Sequence, residues 1–168
     1  TRRSSDLPMR ACNSCDYQFR SGKLASLLLS DEFKSFEFNI GGYFGTNHRL
    51  LIEPEARGHL LRYARHELYP NFDEMDTSDL DGTDGRAYIK RLLSPVEWLK
   101  LAEKLNRCEI IEWKRKYDNN DVLDGTQWSI EIKIKGMRKI SIYGSNEYPP
   151  YWGNFMSLLR REVDPSIG

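Results

Sequence analysis

From Gln127 to Ile134 the chain alternates without a break, with Trp128, Ile130, Ile132 and Ile134 set between Gln127, Ser129, Glu131 and Lys133. Successive strand side chains point to opposite faces, so this pattern predicts a strand with one buried and one wet face. Gly136-Met137 supplies a turn, and Ile140 and Ile142 return on a matching face, which makes a β-hairpin. A lone hairpin is marginal in water. The rest of the chain must therefore bring more strands and a layer to cover them.

Further strands are legible upstream. Phe36, Phe38 and Ile40 alternate with Ser35, Glu37 and Asn39, and Gly41-Gly42-Tyr43-Phe44-Gly45 then interrupts them with residues suited to a chain reversal. His48 to Glu53 reads as the returning strand, ended by Pro54. Residues 58–69 fit either a helical face (Leu60, Leu61, Ala64, Leu68) or a third strand through Leu61 and Tyr63. The strand is preferred, because a two-stranded hairpin needs a third strand. Pro70 to Gly85 holds six acids and no base, and reads as a loop.

Two helices should cover the sheet. Ser94-Pro95-Val96-Glu97 has a capping serine, a proline at the first helical position and a glutamate that completes a capping box. Val96, Leu99, Ala102 and Leu105, with Trp98 and Leu101, then form a broad apolar face. After Pro149-Pro150, residues Trp152, Phe155, Leu158, Leu159 and Val163 form a second helical stripe. The expected fold is α+β: an antiparallel sheet of about five strands with helices 94–105 and 151–163 packed on one face.

The 168 residues suit a single domain, taken as 33–168, after a poorly defined segment 1–32. Within that segment Thr1-Arg2-Arg3-Ser4-Ser5-Asp6-Leu7 matches the translation of a sequencing adapter, ACA CGA CGC TCT TCC GAT CT, and is read as an artefact. Twenty-five basic residues balance twenty-five acidic ones, so no global field selects nucleic acid or an anionic membrane. The apolar runs are far too short to span a bilayer. The three cysteines make no disulfide framework, and a cytoplasmic location is expected.

Cys12 and Cys15, two residues apart, resemble the first knuckle of a zinc ribbon. A closed site needs four ligands, no second such pair follows, and no cofactor is expected. Asp76, Asp79, Asp81 and Asp84 suggest a calcium loop, but with Gly82 at the sixth position Thr77 stands first and Tyr88 twelfth, where Asp and Glu are required. Trp113-Lys114-Arg115-Lys116-Tyr117 interleaves bases with aromatics. It reads as core aromatics flanking a solvated basic edge rather than as a nucleic-acid site. None of the three histidines lies in a recognisable nucleophile, zinc-protease or phosphate-loop motif.

Asp124-Gly125-Thr126-Gln127-Trp128, followed by Gly144-Ser145-Asn146-Glu147-Tyr148-Pro149, resembles a family of uncharacterised bacterial proteins with a D-G-x-x-W hairpin, a G-S-N-x-[YF]-P turn and a closing helix. The resemblance spans roughly residues 33–163 and implies a fold without an activity. Physically, Trp128 anchors the hairpin and Gly144-Ser145-Asn146 turns the chain through positive φ, while Asp124 and Asn146 fix its two ends. Tyr148, Tyr151 and Trp152, with Tyr43 and Phe44, form a candidate recognition surface, since Tyr and Trp are enriched at interfaces. Asp79, Asp81 and Asp84 would steer a basic partner. The expected function is a non-catalytic protein-binding module of the immunity or antitoxin kind. The alternative is a small hydrolase or nuclease using His48, His59 or His66 with acids of the loop.

Overall fold

A computed structural model describes residues 23–42, 45–66, 72, 87–119 and 125–168. In chain order its elements are α1 (Lys23–Leu28), β1 (Phe33–Gly41), β2 (Asn47–Glu55), β3 (Gly58–His66), β4 (Ala87–Leu93), α2 (Pro95–Asn106), a 3-10 turn (Ile110–Glu112), β5 (Lys116–Asp118), β6 (Gln127–Ile134), β7 (Ile140–Ser145) and α3 (Trp152–Glu162). The strands form one sheet in the order β4-β3-β2-β1-β6-β7-β5. The β5–β7 pair is parallel and the others are antiparallel. The class is α+β, as the sequence predicts. Its detail differs: the described residues hold a mixed sheet of seven strands and three helices, where about five antiparallel strands and two helices were expected.

Each added element escapes periodicity for a physical reason. Strand β4 lies at the sheet edge, where Lys90, Arg91 and Leu92 are exposed, and charged edges blur alternation while discouraging further pairing. Strand β5 has only three residues, held by register against Tyr143, Gly144 and Ser145. Helix α1 spans six residues, too few to display a helical period, yet Leu24 and Leu28 are fully buried in the main core. Gly58–His66 is a strand, paired along its whole length with β2.

Register puts the apolar residues on one face. Phe36, Phe38 and Ile40 face Ile52, Leu50 and His48 on one side and Ile132, Ile130 and Trp128 on the other. A bulge between Phe33 and Ser35 inserts one residue, so Phe33 joins the same face despite its odd spacing. Helix α2 starts where the sequence places it. The Glu97 amide donates to Ser94 Oγ at 3.3 Å, and the Ser94 amide donates back to the Glu97 carboxylate at 2.8 Å. Trp98, Leu101, Ala102 and Leu105 of α2 are buried with Phe155, Met156, Leu158 and Leu159 of α3.

Candidate functional site

Glycines shape one end of the helix-covered face. A side chain on Gly41 would collide with Asn47 Oδ1, so the β1 end and the β2 start can approach only without one. A Cβ on Gly42 would lie 3.0 Å from the Gly125 carbonyl, which closes the next gap. A Cβ on Gly125 would in turn strike Asn146 Oδ1. Asn146 holds a left-handed φ of 56°, and its amide donates to Thr126 O at 2.9 Å. These close approaches leave an open cleft of about 520 Å³ between the glycine segments and α3.

Aromatic rings form the α3 side. Trp152, half-buried, stands 4.6 Å from Trp128 and 5.1 Å from Tyr148 between ring centres. Trp128 is 3% exposed, and its indole N–H donates to Glu147 O at 3.0 Å. Gly144, directly across from Trp128, makes room for that ring, because a Cβ there would lie inside the indole. Its role is close approach rather than the positive φ expected of it; Asn146 alone of Gly144-Ser145-Asn146 has positive φ. Tyr148 and Tyr151 remain 43% and 50% exposed at the rim, Tyr151 with a left-handed φ of 61° at the cap of α3.

The polar side is built around His48, at the start of β2. His48 Nδ1 lies 2.8 Å from the Tyr63 hydroxyl, which lies 3.4 Å from Ser166 Oγ. The Ser166 hydroxyl in turn donates to Asp164 Oδ1. Burial holds the His48 pKa below its ordinary value, the Arg65 charge adds to this, and Asp164 opposes it. Burial pushes the Tyr63 phenol up to about 12. Arg160 reaches the same cleft, with Nε donating to Ile167 O at 2.8 Å and Nη2 to Gly168 O at 2.5 Å. No Asp or Glu side chain lines the cleft among the described residues.

Of the residues singled out from the sequence, Gly125, Tyr148 and Trp152 line this cleft, whereas Trp128, Gly144 and Ser145 line a separate depression with Tyr117 and Tyr143, and Asn146 packs against Gly125 between them. Tyr43, Phe44, Asp79, Asp81, Asp84, Asp124, Cys12 and Cys15 lie outside the described residues. The histidines part company. His66 pairs across from Asn47, whereas His59 stacks on Trp98 at 4.5 Å in a separate depression. Trp113 and Tyr117 are buried while Lys114, Arg115 and Lys116 are exposed, the arrangement expected of core aromatics beside a basic edge. Sequence reasoning missed Arg160 and the Tyr63–Ser166–Asp164 chain, which no local spacing announces. Among the described residues no three His, Cys, Asp or Glu side chains are grouped to hold a metal ion, and no helix is long and apolar enough to cross a membrane. Comparison of the chain with protein-family models, with curated proteins and with solved structures finds no match.

Proposed function

We propose that the chain is a cytoplasmic protein-binding module of the immunity or antitoxin kind, acting without a cofactor, and that the glycine-walled cleft and its aromatic rim receive the partner. One observation carries this reading. Residues from three separated stretches (Gly41–Gly42, Gly125–Thr126 and Tyr148–Trp152) converge on a single open cleft beside exposed tyrosines. Large amphipathic rings bury much area while losing little conformational freedom, which suits them to recognition. Asp79, Asp81 and Asp84 would speed approach of a basic partner surface. The test is direct binding to the purified product of the gene adjoining this one. Tyr148→Ala with Tyr151→Ala should weaken binding at least about tenfold, and replacing Asp79, Asp81 and Asp84 by Asn should slow association. Binding unchanged in both variants overturns the proposal.

One observation supports the hydrolase or nuclease alternative. The cleft histidine is connected to a carboxylate, Asp164, through the hydroxyls of Tyr63 and Ser166. A general base needs such orientation. Turnover of an ester or nucleic-acid substrate that His48→Gln abolishes would favour this alternative over the binding module.

A further inference from the structure

Between β7 and α3 the chain enters the left-handed region twice, at Asn146 with φ 56° and at Tyr151 with φ 61°. Asparagine tolerates this conformation, because its side chain is short and polar. Tyrosine does not. The Trp152 amide donates to Pro149 O at 3.3 Å, so Pro149 to Trp152 form a β-turn with Pro150 and Tyr151 in the middle. Proline cannot take a positive φ, and Tyr151 has φ 61° and ψ 13°, which makes the turn type II. The third position of such a turn calls for Gly or Asn.

The fold explains the turn but not the tyrosine. The turn carries the chain from β7 into α3, and the Tyr151 carbonyl accepts from the Phe155 amide at 3.0 Å to begin the helix. Both tasks belong to the backbone, and glycine would perform them without strain. The side chain returns nothing to the fold. Among the described residues the Tyr151 ring meets no other ring, its hydroxyl has no hydrogen-bond partner, and it makes no capping bond. The residue is 50% exposed. Glu109, the remaining described non-glycine residue with positive φ, is instead engaged within the chain. A bulky side chain held in a left-handed turn without an intramolecular contact marks a position that serves contact outside the chain.

We infer that Tyr151 is the anchor of the partner interface, and that its phenol enters a pocket on the partner protein with apolar walls and a hydrogen-bond acceptor. The inference rests on the protein-binding reading, and it gives the partner the concave side of this contact. A phenol joins a large apolar ring to one polar tip, so a pocket that desolvates it must satisfy both. Tyr148, 43% exposed, stands at the other end of Pro149-Pro150 and flanks the anchor. The prolines restrict the backbone between the two rings, so little conformational freedom is lost on binding.

The experiment compares Tyr151→Ala, Tyr151→Gly and Tyr151→Phe in the full chain, by urea unfolding and by binding to the purified product of the adjoining gene. Alanine removes the ring and keeps the backbone strain, whereas glycine removes both. Tyr151→Ala should leave the urea midpoint within about 0.2 M of the parent, and Tyr151→Gly should raise it by about 0.5 M above the alanine variant. Binding should move the other way. The alanine and glycine variants should each bind about tenfold more weakly, and the phenylalanine variant about threefold more weakly through loss of the hydroxyl bond. An alanine variant far less stable than the parent would mean that the ring holds the fold. A glycine variant no more stable than the alanine variant would mean that the turn carries no strain. Either result overturns the inference with no partner present. Phenylalanine binding as tightly as tyrosine overturns the acceptor-bearing pocket. A partner that responds to Tyr148→Ala but ignores every change at 151 overturns the anchor and leaves the docking surface in place. An adjoining product that does not bind the parent chain overturns the docking reading, and the anchor falls with it.

Discussion

The sheet's two faces are made by the same strands and are covered by different means. On one face Phe36, Phe38, Leu50, Ile52, Ile130 and Ile132 are buried beneath the helices, and Phe38 meets Phe155 edge to face at 5.1 Å. On the other, Glu37 pairs with Arg49 at 2.9 Å, Glu53 with Arg62 at 2.5 Å and Glu131 with Lys139 at 2.5 Å. Among the described residues Leu51, Ala64 and Tyr88 form a buried apolar island in this polar surface, and Phe72 packs with them. The guanidiniums of Arg49 and Arg62 lie 4.9 and 5.0 Å from the Phe72 ring centre. Their charges are already balanced by Glu37 and Glu53, so an aromatic ring can settle over them with less loss of hydration. One face is thus organised by extensive burial and the other by paired charge with one aromatic inserted from outside the strands.

If that contrast is right, the helix-covered face should be far more sensitive to truncation. Trp128→Ala should cost about 3–5 kcal/mol in denaturant unfolding, enough to threaten folding. Gly144→Ala should cost about 1–3 kcal/mol by overpacking the same indole, and the two losses should not add, since the smaller residue at 128 vacates the space that the new methyl needs. Full additivity would separate Gly144 from Trp128 and remove the explanation given for the glycine.

The polar face offers a smaller target. Phe72→Ala should cost about 2 kcal/mol, from one partly flanked apolar side chain and its contacts with two cations. Replacing Phe72 with Leu should recover most of the burial and none of the cation–π attraction, so the leucine and alanine variants divide the two contributions. A loss as large as that of Trp128→Ala would mean the two faces are not organised differently after all.

How far the sequence foretold this contrast depends on range. Alternation in β1 and β6 is a local pattern, and so is the Ser94–Glu97 capping box; each states its structure within a few residues. Phe72 gives no such signal: it sits in an acidic stretch outside any strand, and its partners Leu51 and Ala64 look merely out of phase in β2 and β3. Gly144 was legible as a residue of consequence, but its reason lies on the neighbouring strand. The Tyr63–Ser166 contact joins residues 103 positions apart, and Arg160 enters the cleft only because α3 lies across that end of the sheet. Burial patterns are written locally, whereas a site assembled from β2, β3 and the residues after α3 is not.

A further difference between the regions should appear on acidification. His48 and His59 both belong to the helix-covered side, and burial holds both below the ordinary histidine pKa. The unfolded chain therefore takes up protons at a higher pH than the folded one, so stability is full above the ordinary value of about 6.5 and is lost as pH falls below it. His48→Gln should flatten this acid limb in urea midpoints measured across the range, while Phe72→Ala should leave its slope unchanged. A parent chain whose midpoint rises on acidification would reverse the sign and contradict the burial of these rings.

The smallest effect belongs to the exposed ion pair on the polar face. Lys139 Nζ lies 2.5 Å from Glu131 Oε1, but the lysine side chain is 45% exposed, so solvent and salt screen the pair and ordering two long side chains offsets part of the attraction. Glu131→Gln should therefore change stability by no more than about 0.5 kcal/mol, and the change should fade in high salt. The same residue stands on β6 between Ile130 and Ile132, one position from side chains whose truncation belongs to the several-kilocalorie class. An Ile130→Ala variant measured beside Glu131→Gln therefore samples both faces through consecutive residues of one strand. If the two changes cost the same, or if the glutamine variant is salt-independent, then paired charge on the outer face carries more of the fold than its exposure allows.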